Sequence, residues 1–185
     1  MEVIFLIVLP AVLWAQSWYF LDLYTNTRTL GMIAAAVAIV LGGMVIFAGG
    51  SYPALVGEPA NAGAVLSAFI ALWAIYAAIV AAVYLGGFDE RTLGLYSLFL
   101  AIVSVLYVVY FFAGGEMLSD PSVTAVVHWP MGIVSIALAV FAGLVFFHLA
   151  PPYPRLRFIT GWYTLVISIV IALLGGLVIL GVEIN

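Results

Sequence analysis

Six long runs of this chain, residues 3–20, 29–48, 63–85, 93–113, 123–149 and 158–182, contain no Asp, Glu, Lys or Arg. A helix needs about 20 apolar residues to cross a hydrocarbon core of about 30 Å, so each run predicts a transmembrane helix. The whole chain agrees, with 68% hydrophobic residues and only 4 Lys+Arg and 8 Asp+Glu among 185 residues. Too little charge remains to cover a water-facing surface, so membrane lipid is the expected surrounding. Transmembrane strands would alternate apolar and polar residues, whereas these runs are apolar on every face. The expected fold is an all-α integral membrane protein, residues 1–185 forming a single six-span domain. The first run opens on Met1-Glu2 rather than a basic segment, so it reads as a helix and not as a signal peptide.

Short connections at 21–28, 49–62, 86–92, 114–122 and 150–157 join the spans. The basic residues Arg28, Arg91, Arg155 and Arg157 all fall in the first, third and fifth of them. The termini and the other two connections carry Glu2, Glu58, Glu116, Asp120 and Glu183 and no base. By the positive-inside rule the arginines are expected in the cytoplasm and both termini outside it. Asp22, Asp89 and Glu90 accompany the arginines and read as salt partners or helix caps. A net charge of −4 with no lysine excludes a phosphate-binding stripe, hence nucleic acid as a partner. Without cysteine there is no disulfide or thiolate metal site. No cofactor, metal or enzyme activity is expected.

Arg-Thr-Leu-Gly occurs at 28–31 and again at 91–94, with Arg157-Phe158-Ile159-Thr160-Gly161 as a third echo. The first two copies are followed by apolar runs closing in Phe-Ala-Gly-Gly. The repeating unit is then a hairpin of two helices, used three times at approximately 3–48, 63–113 and 123–182, with the three hairpins around a central axis. Thr is also a fair helix N-cap, which is a second reason for Thr after Arg28 and Arg91.

Ionisable groups inside spans mark proton relays and ion-coupled transporters, and none is expected here. Polar candidates inside the spans are hydroxyl, aromatic or amide. Trp73 and Tyr76 share a helix face, as do Trp14 and Trp18. With Gln16 and Tyr107 they offer flat walls and a few hydrogen-bonding groups, which suit a small planar neutral solute. Aromatic residues also pack helices and form the interfacial belt, and Gly42-Gly43, Gly132, Gly143 and Gly175-Gly176 suit close helix approach. Of the two histidines, His128 is a candidate pH-sensing residue near one face. His148 ends the fifth run, too far along the helix to share a metal with it.

The segment Ala68–Ile102, with Ile75-Tyr76-Ala77-Ala78-Ile79, Gly87-Phe88-Asp89 and Leu95-Tyr96-Ser97-Leu98-Phe99-Leu100-Ala101-Ile102, resembles the urea-channel and amide-transporter family (UreI/AmiS). The resemblance implies six spans, outward termini, three hairpins around a protomer pore, a homo-oligomeric ring and a prokaryotic inner membrane. Tyr76 is the aromatic lining residue that carries over. The chain departs from the family in three places. Ile133, Ile136 and Val140 stand where tryptophans would line the fifth span, Gln16-Ser17 replaces an Asn-Gly, and Ile167 and Ser168 stand in place of a carboxylate. The reading is a passive channel for a small uncharged polar solute, such as a short-chain amide, urea or ammonia. Trp73 and Tyr76 form its constriction, with Trp14, Gln16 and Tyr107 as further lining. The alternative is a structural or accessory subunit of a larger membrane enzyme complex.

Overall fold

The structure, a computed structural model, describes residues 2–23, 26–48, 62–112, 129–151 and 153–180. Six helices occur among them: α1 (Glu2–Phe20), α2 (Thr27–Ala48), α3 (Ala62–Gly86), α4 (Glu90–Phe112), α5 (Trp129–Leu149) and α6 (Pro154–Ile179). All six are long and apolar enough to span a bilayer, and the backbone of each is satisfied within its own helix, as lipid requires. The chain is a multi-pass membrane protein.

α2, α4 and α6 start earlier than their apolar runs suggest, and the chemistry of their first turns explains it. An oxygen of the Asn26 side chain accepts from the Arg28 N–H at 2.9 Å, and Asp89 does the same for Arg91 at 2.9 Å. Such caps satisfy a donor that has no partner within the helix. The caps are therefore Asn26 and Asp89, not Thr29 and Thr92. For α6, Pro154 stands in the first turn, where its missing N–H and fixed φ are suited. Charged residues thus enter the first turns of α4 and α6.

Each helix packs against its neighbours in chain order, and α6 closes on α1. The closest pairs are α2 with α3, α4 with α5, and α6 with α1. The pairs joined at the arginine end, α1 with α2, α3 with α4, and α5 with α6, touch less intimately. Glycine makes the close pairs possible. A Cβ on Gly31 would lie 2.7 Å from the Leu85 side chain, one on Gly94 2.9 Å from the Ala150 nitrogen, and one on Gly161 2.7 Å from the Leu21 side chain. The glycine of the Arg-Thr-Leu-Gly motif is thus where an even-numbered helix receives the end of an odd-numbered one. Gly132 against Phe112 and Gly175 against Leu6 do the same further along, whereas Gly42, Gly43, Gly143 and Gly176 face open space.

Burial separates the two sets of helices. In α1, α3 and α5 the best spanning windows are 56%, 44% and 44% buried, against 28%, 22% and 28% in α2, α4 and α6. The odd helices therefore surround the interior and the even ones face outward. Two hydroxyls tie outer to inner helices: Tyr96 donates to the Leu72 carbonyl and Tyr163 to the Ala137 carbonyl, each at 3.0 Å.

Candidate functional site

α3 turns Phe69, Trp73 and Tyr76 inward at helical spacing, and all three are buried. From α5, Phe141 meets Trp73 at 6.2 Å and Tyr76 at 5.9 Å between ring centroids. Trp73 and Tyr76 themselves lie 5.4 Å apart, edge to face, an arrangement that the ring quadrupoles favour. From α1, Gln16 reaches the same place. Its amide nitrogen lies 3.0 Å and its amide oxygen 3.2 Å from the Tyr76 hydroxyl, so the hydroxyl can accept from one and donate to the other. Gln16, Trp73, Tyr76 and Phe141 are each 0% exposed. Helices α1, α3 and α5 therefore meet in a closed plug of rings around one buried amide.

The polar atoms of this plug are uncharged. Trp73 Nε1 and the Ser135 hydroxyl are buried with no hydrogen-bond partner among the described residues. A buried N–H without an acceptor costs about 1–3 kcal/mol, so Trp73 stands ready for one. The other buried hydroxyls mostly turn back on their own helices: Ser97 to Leu93, Thr164 to Thr160 and Ser168 to Leu165. Among the described residues, no buried side chain is Asp, Glu, Lys or Arg.

Of the expected lining residues, Gln16, Trp73 and Tyr76 come together. Tyr107 joins them through Phe69, whose ring centroid is 4.6 Å from that of Tyr107 and 6.5 Å from that of Trp73. Trp14 does not join them; it is 42% exposed and stacks near Trp18 at 5.9 Å. His128 lies outside the described residues. The comparison of α5 with a tryptophan-lined span needs correcting. Ile133, Ile136 and Val140 are exposed, so they occupy the outward face, while Val134, Leu138, Phe141 and Val145 point inward and are buried. An aromatic side chain does line α5, and it is Phe141. A lone Phe in an apolar run carries no signal of direction in the sequence. A usable signal is the likeness of Gly-Leu-Tyr-Ser at 94–97 to Gly-Trp-Tyr-Thr at 161–164, which hold Tyr96 and Tyr163, the tyrosines that tie outer to inner helices.

At the arginine end the helices are joined by charge. Arg157 donates to the Asp22 carboxylate at 3.1 Å and to the Tyr19 carbonyl at 3.0 Å, and its guanidinium lies 5.7 Å from the centre of the Tyr19 ring. Asp22 adopts φ 62°, a left-handed conformation that Asp tolerates, which ends α1 and presents its carboxylate. The Tyr19 hydroxyl donates to Glu90 at 2.9 Å. Asp22, Asp89 and Glu90 thus act as ion-pair partner, cap and hydrogen-bond acceptor. His148 sits among these groups, edge-on to Phe20 at 5.5 Å.

Six spanning helices thus close into a ring around a buried, uncharged cluster of rings. The AmiS/UreI family transporter model matches residues 1–182, and the chain belongs to that family, a family of transporters and not of enzymes. The fold is that of two solved structures from Helicobacter pylori. The crystal structure of its urea channel is similar with TM-score 0.73 and 18% identity, covering 98% of each chain. The cryo-EM structure of the channel in a closed state gives TM-score 0.75 and 20% identity, covering 97% of this chain and 98% of that one. No curated protein matches the sequence.

Proposed function

We propose that the chain is a passive channel for a small uncharged amide, urea included, which crosses along the axis between α1, α3 and α5. The observation that carries this reading is the buried set of Gln16, Tyr76 and Trp73. It offers an amide oxygen, a hydroxyl and an unpaired indole N–H between aromatic faces. A planar amide has apolar faces and a polar rim, so such a slot replaces the water that it sheds. Because these side chains are fully buried, passage requires the rings to part. Among the described residues no Asp, Glu, Lys or Arg is buried along this path, which supports flux that is not coupled to a sodium ion or proton.

The three Arg-bearing helix starts, α2, α4 and α6, share one end, supporting an orientation with that end in the cytoplasm and both termini outside. The Gly31, Gly94 and Gly161 contacts, spaced around the ring, support three repeated hairpins. Family membership supports a homo-oligomeric ring in a prokaryotic inner membrane. The reading is tested by stopped-flow swelling of liposomes containing the purified protein. Acetamide and urea should enter faster than into empty vesicles; entry at the empty-vesicle rate for both would refute it.

A further inference from the structure

The outer face of α6 carries a shallow groove of about 410 Å³ lined by Phe158, Ile159, Trp162, Tyr163 and Val166. Its walls are set in place. Tyr163 is pinned by its bond to the Ala137 carbonyl at 3.0 Å, and the Phe158 and Trp162 rings meet at 6.1 Å. Arg155 precedes Ile159 by one helical turn and Trp162 by two, so it heads the same stripe. It is exposed and has no ion pair among the described residues, whereas Arg157, two positions on, is held by Asp22 and Tyr19. A free cation at the end of an apolar groove on a lipid-facing helix is complementary to a lipid with an anionic headgroup.

We propose that this groove is a binding site for an anionic phospholipid, with the headgroup phosphate on Arg155 and an acyl chain along Phe158, Trp162 and Val166. Acyl chains gain little by leaving other acyl chains, so the headgroup charge selects the lipid and the rings order its tail. One arginine near a membrane surface favours anionic lipid by about fivefold. A second copy of the chain fits the groove less well. The acids at this end are Asp22, Asp89 and Glu90, and all three are engaged within the chain, with Arg157, the Arg91 N–H and Tyr19. A neighbouring copy would meet Arg155 there only with a carboxylate that already bonds within its own chain.

The site is independent of the solute and is tested without measuring flux. The protein is placed in phosphatidylcholine bilayers containing a small fraction of brominated phosphatidylglycerol or brominated phosphatidylcholine, and quenching of tryptophan fluorescence is read. The Trp162 share is obtained by difference from Trp162→Phe. Half-quenching of Trp162 should need about one fifth as much brominated phosphatidylglycerol as brominated phosphatidylcholine. Arg155→Gln should abolish the difference, and Arg155→Lys should keep most of it. Equal quenching by the two lipids, or a preference that survives Arg155→Gln, would overturn the proposal. So would a Trp162 that neither lipid quenches, the result expected if another copy covers the groove. Loss of the preference on adding inorganic phosphate would assign the site to a soluble anion and also overturn it.

Discussion

The constriction and the arginine end hold helices together by opposite means. At the constriction, α1, α3 and α5 meet through rings and one uncharged amide-to-hydroxyl pair, all fully buried. At the arginine end, Arg157, Asp22, Tyr19 and Glu90 join helix ends through charge, with the Arg157 and Asp22 side chains 37% and 83% exposed. The difference follows from the solvent. Headgroups and water screen a charge at the end of a span, whereas at mid-bilayer an unpaired charge is costly. A neutral interior also keeps the path permissive for solutes without charge. The two regions should therefore respond differently to substitution.

The largest effect is expected where helices also approach closely near the arginine end. Gly94→Leu places side-chain atoms against the Ala150 backbone and should cost about 3 kcal/mol, read as a large drop in the melting temperature in mild detergent. If Gly94→Leu melts like the unaltered protein, close packing of α4 on α5 is not what secures that end.

Next come the buried partners of the constriction. Gln16→Leu leaves the Tyr76 hydroxyl without its partner, and Tyr76→Phe leaves the Gln16 amide without its own. Each should cost about 2 kcal/mol, because a buried polar group is stranded. The double variant should cost clearly less than the sum of the two, since neither partner remains to be stranded. Additive losses in the double-mutant cycle would show that the two groups are not coupled.

Smaller again, Asp89→Ala removes the N-cap of α4 and should cost about 1 kcal/mol, while Asp89→Asn should retain most of the stability. Equal losses in the two variants would contradict the capping role. The smallest effect is expected for Arg157→Gln, about 0.5 kcal/mol given the exposure of its partner, and shrinking further as salt is raised. A loss at this pair as large as that at Gln16 would erase the contrast between the two regions.

The sequence made the number, the approximate extent and the apolar character of the helices legible, because twenty uncharged residues in a row leave few alternatives. The runs at 3–20 and 63–85 match α1 and α3 to within one residue at either end. α4 and α6 begin earlier than 93 and 158, since Asp89 caps the one and Pro154 opens the other, and charged first turns were read as connections. Gln16 was legible as an amide within a span, and Trp73 with Tyr76 by their spacing. Direction was not. A helix in lipid is apolar on its outer face as well as its inner one, so composition could not show that Trp14 is exposed while Gln16, two residues on, is buried. Nor could it show that α5 turns Phe141 inward and Ile136 outward. Those assignments depend on which helices adjoin, and a single run of sequence does not hold that information.

The central claim is that a path with an uncharged interior moves its solute only downhill. Uptake of labelled acetamide into proteoliposomes, followed to its plateau with and without an imposed proton gradient, tests it most directly. The account predicts an internal concentration that rises to the external one and stops there, gradient or none. Accumulation above the external concentration when the gradient is applied would contradict it.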